Sequence, residues 1–95
     1  MEIVIDGLSI KTERDFHRMI SSQLGISGHY GENLHALWDV LSASVERPVT
    51  LIWTNSERSK QELGNSFDLI VNVLRRVEEQ DRQFGLAERF SFKLM

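Results

Sequence analysis

The sequence predicts a small single domain of the α/β class, residues 1–95, in which a three-stranded parallel sheet is flanked by three to four helices in a three-layer-like arrangement. Three observations support this prediction. Short β-branched or aromatic segments alternate with long helical stretches, and parallel strands require crossovers of that length. The chain is too short for two independent cores. With 41% hydrophobic and 26% charged residues, it has the composition of a folded globular protein.

The first half of the chain predicts one strand and two helices. Residues 2–5 are mostly β-branched and precede an Asp-Gly turn, which indicates a strand. Helical spacing of apolar residues predicts a first helix over 12–24 and a second over 33–45. A glycine-rich connector, 25–31, separates them and lacks a phosphate-binding motif. The apolar stripe of the second helix consists of Leu34, Leu37, Leu41 and Val45.

The second half predicts a strand, a long helix and a final strand. The nearly continuous apolar run 49–53 is typical of a strand that is covered on both faces. The polar segment 54–62 could form a short helix or a turn. A long helix is expected from Leu63 or Phe67 to about Gly85. The last strand is expected to have one buried face, because polar and apolar residues alternate from Arg89 to Leu94.

The buried core is predicted from the inward positions of these elements. Its members are Ile3, Ile5, Phe16, Ile20, Leu37, Leu41, Leu51, Trp53, Phe67, Ile70, Leu74, Phe90 and Phe92.

Charge is unevenly distributed along the chain, which has a formal net charge of -3. No Lys or Arg occurs between Arg18 and Arg47, whereas Glu32, Asp39 and Glu46 all lie in that interval. Proteins that bind nucleic acids need clustered basic residues, so we expect no direct binding of nucleic acid. An acidic surface would attract a metal ion or a basic protein patch, or would simply be solvated.

Other features bear on the compartment and on cofactors. The chain has no cysteine, which excludes disulfides, thiolate metal sites and a cysteine nucleophile and fits a reducing cytosol. The N-terminal residues do not resemble a signal peptide, and no segment is apolar enough to cross a membrane. We therefore expect a cytoplasmic protein with no membrane association and no cofactor.

The second helix carries the polar residues that are of most interest. His35, Asp39 and Ser42 follow i, i+4 and i+7 spacing, so they are expected on one face of the helix, turned outward or sideways. An imidazole and a carboxylate at this spacing could serve acid–base catalysis, bind a metal, form a local ion pair or contact a partner. Spacing alone does not choose among these four roles.

Catalysis and metal binding have little support in the sequence. Only His29, Tyr30 and Ser42 lie near enough to supply a further catalytic group. A zinc site from His29, His35 and Asp39 would have suitable ligand types but no recognised spacing, so no metal is expected. His17, on the first helix, is expected at the surface or at the core boundary.

Tyr30 and Trp38 lie close to Asp39 in sequence. Aromatic residues near a charged group are enriched in protein interfaces, although Trp38 could equally be a half-buried edge of the core. Together with the acidic segment, they favour a surface that binds a basic protein.

The segment Tyr30–Leu41, YGENLHALWDVL, resembles the signature of the barstar family of ribonuclease inhibitors. The resemblance covers about residues 1 to 77 and is supported by Gly7, Glu46, Pro48, Trp53 and the run Ser59-Lys60-Gln61. It implies a three-stranded parallel sheet packed with helices, which agrees with the fold predicted from the pattern.

The resemblance also implies a function and a site. A barstar-like protein is an intracellular inhibitor that blocks the active-site cleft of a small basic ribonuclease with its second helix and the preceding loop. Asp39 would take the place of an RNA phosphate and accept hydrogen bonds from cationic side chains of the nuclease. Tyr30, Asn33, Leu34 and Trp38 would form the packed surround. We expect such a protein to be a monomer when free, and not an enzyme.

Four positions depart from the family's type sequence, which has tyrosine, aspartate, tryptophan and glutamate where this chain has His29, His35, Ser44 and Arg76. Two interface acids are thus replaced by bases, at His35 and Arg76. We expect the cognate ribonuclease to differ around the rim of its cleft while keeping the cations that contact Asp39. The alternative is a domain of the same fold that binds a different basic protein.

Overall fold

The computed structural model describes residues 1–95 and contains a three-stranded parallel sheet and four α-helices, which confirms the predicted fold class. The strands are β1 (Glu2–Asp6), β2 (Val49–Thr54) and β3 (Phe90–Leu94), and the helices are α1 (Glu13–Leu24), α2 (Leu34–Asp39), α3 (Ser56–Leu63) and α4 (Asn65–Gln83). A 3-10 turn, Gly7–Ser9, follows β1, and a π-helical turn, Val40–Ser44, continues α2. None of the helices combines the length and apolar character needed to span a bilayer.

The sheet has β2 at its centre, paired in parallel with β1 on one side and β3 on the other. Its register aligns Ile3 with Leu51 and Leu51 with Phe92. Burial alternates along β2, where Leu51 and Trp53 are fully buried and the intervening Ile52 is half-buried. The prediction that both faces of this strand are covered is therefore wrong: one face is in the core and the other is only partly shielded.

Trp53 lies at the centre of the core. Its ring stacks on Phe16 of α1 at 4.9 Å and contacts Phe67 of α4 at 5.1 Å between ring centroids. Such aromatic pairs each stabilise a fold by about 0.5–1.5 kcal/mol beyond simple burial. Its indole Nε1 donates to the Ser59 hydroxyl at 2.9 Å, so the polar edge of the ring is satisfied. Every residue of the predicted core is buried except Phe92, the middle residue of the last strand, which is half-buried.

Capping residues set the bounds of the helices. Thr12 and Asp15 form a reciprocal capping box at the start of α1, and Gly25 ends that helix in the left-handed conformation with φ 71°. Hydrogen bonds from the backbone N–H groups of Lys11 and Thr12 hold the pKa of Asp15 below its ordinary value. The ambiguous segment 54–62 contains most of α3, and Gly64 separates α3 from α4.

Side chains from the helices protect the two outer edges of the sheet. On β1, the Gln23 amide contacts both backbone groups of Val4, accepting from its N–H at 2.8 Å. On β3, carboxylates of α4 accept from Phe92 N–H at 3.0 Å, through Glu78, and from Phe90 N–H at 2.7 Å, through Asp81. Unpaired strand edges invite pairing with other chains, so these contacts oppose edge-to-edge association.

Candidate protein-binding site

The start of α2 is fixed by Asn33. Its side-chain oxygen accepts from the backbone N–H of Ala36 at 2.8 Å, and its side-chain nitrogen donates to the carbonyl of Gly31 at 3.0 Å. The residue is exposed, yet the oxygen and the nitrogen of its side-chain amide both form hydrogen bonds within the protein. Asn33 therefore positions the helix, as an N-cap does, and links it to the preceding loop.

The loop before α2 is anchored by a buried contact between Tyr30 and His17. The Tyr30 hydroxyl lies 2.6 Å from Nδ1 of His17, and Nε2 of His17 lies 2.9 Å from a carboxylate oxygen of Glu13. A hydrogen on Nε2 satisfies all three groups, since Tyr30 then donates to Nδ1. Burial raises the pKa of Tyr30 well above its ordinary value, and the carboxylates of Glu13 and Glu32 raise it further.

One expectation is corrected by this contact. His17 is fully buried rather than placed at the surface or at the core boundary, because its two ring nitrogens find partners inside the protein. Tyr30 is only 9% exposed and anchors the loop from inside, while its place in the packed surround of Asp39 stays a prediction.

The acidic segment is not free of bases in space. Glu32 lies 3.2 Å from Nε of Arg14 and 3.8 Å from Nε of Arg18, both on α1. The backbone of Glu32 adopts the left-handed conformation, with φ 51°. The uninterrupted acidic surface that the sequence suggested is therefore partly neutralised across the loop.

His35 and Asp39 lie side by side on the exposed face of α2. Their closest atoms, Nε2 and Oδ2, are 3.4 Å apart, and their side chains are 86% and 62% exposed. Exposed pairs of this kind contribute little to stability, about 0.3–0.5 kcal/mol. No other side chain or backbone group contacts the Asp39 carboxylate within hydrogen-bonding distance, which leaves it open to a ligand.

Trp38 is half-buried beside this pair and is covered on one face by Arg76 of α4. The guanidinium carbon lies 4.5 Å from the ring centroid, the geometry of a cation–π contact. Of the remaining predicted site residues, Leu34 is half-buried on α2 and His29 is exposed in the loop.

Ser42 is less exposed than His35 and Asp39, with which the spacing predicted a shared face turned outward or sideways. It lies half-buried in the π-helical turn and lines a groove with Gln80 and Phe84. The wider turn changes the angle between successive residues, so the ideal i+7 alignment does not apply strictly there.

The sequence did not single out four residues that shape this surface. Three of them lie on α1: Glu13 contacts His17, and Arg14 and Arg18 lie close to Glu32 in the loop. The fourth, Phe84, lies beyond the end of α4 in the groove next to Trp38. Three of these are ordinary polar residues of an amphipathic helix, so no local signal marks them.

The chemistry of the site suits binding to a protein. No three His, Asp or Glu side chains come together to hold a metal ion, the set His29, His35 and Asp39 included. An open carboxylate beside a half-buried tryptophan, on a helix that is fixed at its start, is suited to accept hydrogen bonds from a cationic side chain.

Comparisons with known proteins identify relatives. The sequence profile of the family described as Barstar (barnase inhibitor) matches residues 1–93, further along the chain than the resemblance over 1 to 77. A protein of Bacillus subtilis (strain 168) with the name "Putative ribonuclease inhibitor YrdF" is 34% identical over 79 residues, which are 83% of this chain and 87% of that protein. Because the family profile covers nearly the whole chain and this relative shares 34% identity over most of it, the chain belongs to the barstar family.

Proposed function

We propose that this protein inhibits a ribonuclease by placing α2 and the preceding loop over the cleft in which RNA is cleaved. The family is described as barnase inhibitors, and the Bacillus subtilis relative is named as a ribonuclease inhibitor. In this proposal the protein has no catalytic activity of its own. It acts in the cytoplasm and protects its host from a ribonuclease that would otherwise cleave host RNA.

The open carboxylate of Asp39 carries the proposed mechanism. A ribonuclease cleft must present cations to the RNA phosphate, and a carboxylate can accept the same charge-assisted hydrogen bonds. Asp39 is 62% exposed, and its only ionic neighbour is His35. The carboxylate can therefore enter a cleft without breaking a buried contact of the inhibitor.

The surroundings of Asp39 hold it in place before binding. Asn33 caps the helix, and Tyr30 ties the loop to α1 through His17. A site that is already ordered loses less conformational freedom on association, which favours affinity. We assign Trp38 and Leu34 to the contact surface, and we assign Tyr30 and Asn33 a positioning role.

The test is inhibition of RNA cleavage by a panel of small basic ribonucleases that includes barnase. Wild-type protein is compared with Asp39→Ala and with Asp68→Ala, a matched control that removes an exposed carboxylate on α4. We expect Asp39→Ala to raise the inhibition constant at least about thirtyfold, because cations left unpaired in a buried interface cost about 2 kcal/mol or more. Asp68→Ala should inhibit like the wild type.

The outcomes separate the proposal from its alternative. Equal inhibition by the wild type and Asp39→Ala would show that another surface is used. Inhibition of no ribonuclease, combined with tight binding to a different basic protein from the native host, would favour a family member with another partner.

A further inference from the structure

A groove of about 400 Å³ lies between α2 and the C-terminal half of α4. Its lining consists of Trp38, Arg76, Glu79, Gln80, Gln83 and Phe84. Phe84 is 69% exposed, the largest exposed fraction among the big hydrophobic side chains of the chain. Trp38 immediately precedes Asp39 in sequence, so the groove adjoins the candidate site.

One cation in this groove has no ion-pair partner. Glu79 is paired with the guanidinium of Arg82 and also accepts from the Gln83 amide at 3.2 Å. Arg76 has no carboxylate within 4.0 Å, whereas Arg82 on the same helix is paired with Glu79. The guanidinium of Arg76 is therefore free to pair with a carboxylate of a partner.

The position of Arg76 prepares it to bind a carboxylate. Its guanidinium lies over the face of Trp38, 4.5 Å from the centroid, and this contact restricts a long side chain. A stacked guanidinium keeps the N–H groups in its own plane free, and these match the two oxygens of a carboxylate. Phe84 supplies an apolar wall that would shield such a contact from water.

We infer that the ribonuclease partner inserts an Asp or Glu side chain into this groove and pairs it with Arg76, while the cations of its cleft contact Asp39. This inference rests on the proposed function and adds a requirement on the partner. The partner must carry an acidic residue on the rim of a cationic cleft, at the side that faces α4. Such a pattern of charges selects among basic ribonucleases that would all accept Asp39.

The experiment uses the ribonuclease that is inhibited most strongly in the panel that includes barnase. Dissociation constants are measured for wild type, Arg76→Glu, Phe84→Ala and Arg75→Glu. Arg75 is the matched control, since it is an exposed arginine on the same helix that lines other grooves. Each acidic residue on the rim of the ribonuclease is then changed to alanine and combined with Arg76→Ala in a double-mutant cycle.

We expect Arg76→Glu to weaken binding at least about tenfold more than Arg75→Glu, although both change the net charge equally. One rim acid should couple to Arg76 by about fivefold or more. Equal effects of the two arginine substitutions, or coupling to no acid, would overturn the inference while leaving the role of Asp39 intact. Loss of all dependence on Asp39 would instead overturn the proposed function, and this inference with it.

Discussion

Nε2 of His35 lies 3.4 Å from Oδ2 of Asp39, one turn apart on the exposed face of α2. The carboxylate that we assign to the cleft of a ribonuclease thus has a titratable base as its closest ionic neighbour. A protonated imidazole would compete with the cations of a partner for the carboxylate and would repel them. The charge of His35 therefore bears directly on binding.

We expect a fixed positive charge at position 35 to weaken the ribonuclease complex, because it would compete with the cations of the partner for the carboxylate of Asp39. The expected increase in dissociation constant is about tenfold, equivalent to about 1.4 kcal/mol. The measurement is a titration of the ribonuclease with His35→Lys and with His35→Gln at the same pH, since the two substituted side chains differ in charge.

Equal dissociation constants for the two variants would contradict a role for the charge at position 35. Tighter binding by His35→Lys than by His35→Gln would mean that position 35 faces an acidic group of the partner.

Tyr30→Phe tests the anchor of the binding loop. The variant should lose about 1–3 kcal/mol of stability at neutral pH, because Nδ1 of His17 is left without its buried partner. In the wild type, the raised pKa of Tyr30 means that the unfolded chain releases its proton above about pH 10 while the folded chain retains it. Stability should therefore fall as pH rises past about 10, and this part of the fall should be absent in the variant. Urea denaturation followed by tryptophan fluorescence measures both effects, and equal alkaline profiles would contradict the account.

Much of the fold is predictable from local patterns. The three strands follow from alternation and from β-branched runs, and the bounds of α1 follow from the Thr12 capping box and Gly25. The position of Asp39 on an exposed helix face also follows from spacing alone. These features depend on residues that are close in sequence, which is why they can be read without the structure.

The rest depends on contacts between distant segments. His17 and Tyr30 are polar enough for a surface, and their burial depends on the hydrogen bond between them and on the contact of His17 with Glu13. The π-helical turn arises within a continuous apolar stripe, so nothing in the spacing marks it. Phe84 continues the seven-residue spacing from Val77 yet is exposed, because it lies past the last residue of α4.

A buried ion pair between Arg47 and Asp81 joins three segments of the fold. Nε and Nη2 of Arg47 lie 2.8 and 3.0 Å from the two carboxylate oxygens, and Phe90 N–H donates to the same group. Removing one partner leaves an uncompensated buried charge, so Asp81→Asn should lower the free energy of unfolding by about 3–5 kcal/mol. Glu79→Gln, which breaks an exposed pair, should cost about 1 kcal/mol or less. Chemical denaturation measures both variants, and equal losses of unfolding free energy would contradict the importance of burial.

The same pair predicts sensitivity to acid. Burial alone would raise the pKa of Asp81, but hydrogen bonds from Arg47 and Phe90 outweigh it and hold the pKa below its ordinary value. A depressed pKa in the folded state stabilises the protein above the unfolded value, about 4, and this contribution is lost as pH falls below it. The wild type should therefore lose stability between about pH 4 and pH 2 more steeply than Asp81→Asn. Denaturation midpoints across this range provide the check, and parallel curves for the two proteins would count against it.

Two substitutions of Asn33 distinguish a role in positioning α2 from direct contact with the partner. Asn33→Ala should lower the free energy of unfolding by about 1 kcal/mol, because Ala36 N–H loses its cap, whereas Asn33→Ser keeps a side-chain acceptor at this position. If Asn33 acts only by fixing the start of α2, Asn33→Ser should bind the ribonuclease like the wild type, and Asn33→Ala should bind more weakly. Stability by urea denaturation and affinity by titration are measured on the same preparations. Weak binding by Asn33→Ser with unchanged stability would contradict the positioning role and would mean that the amide itself contacts the partner, as the family resemblance implies.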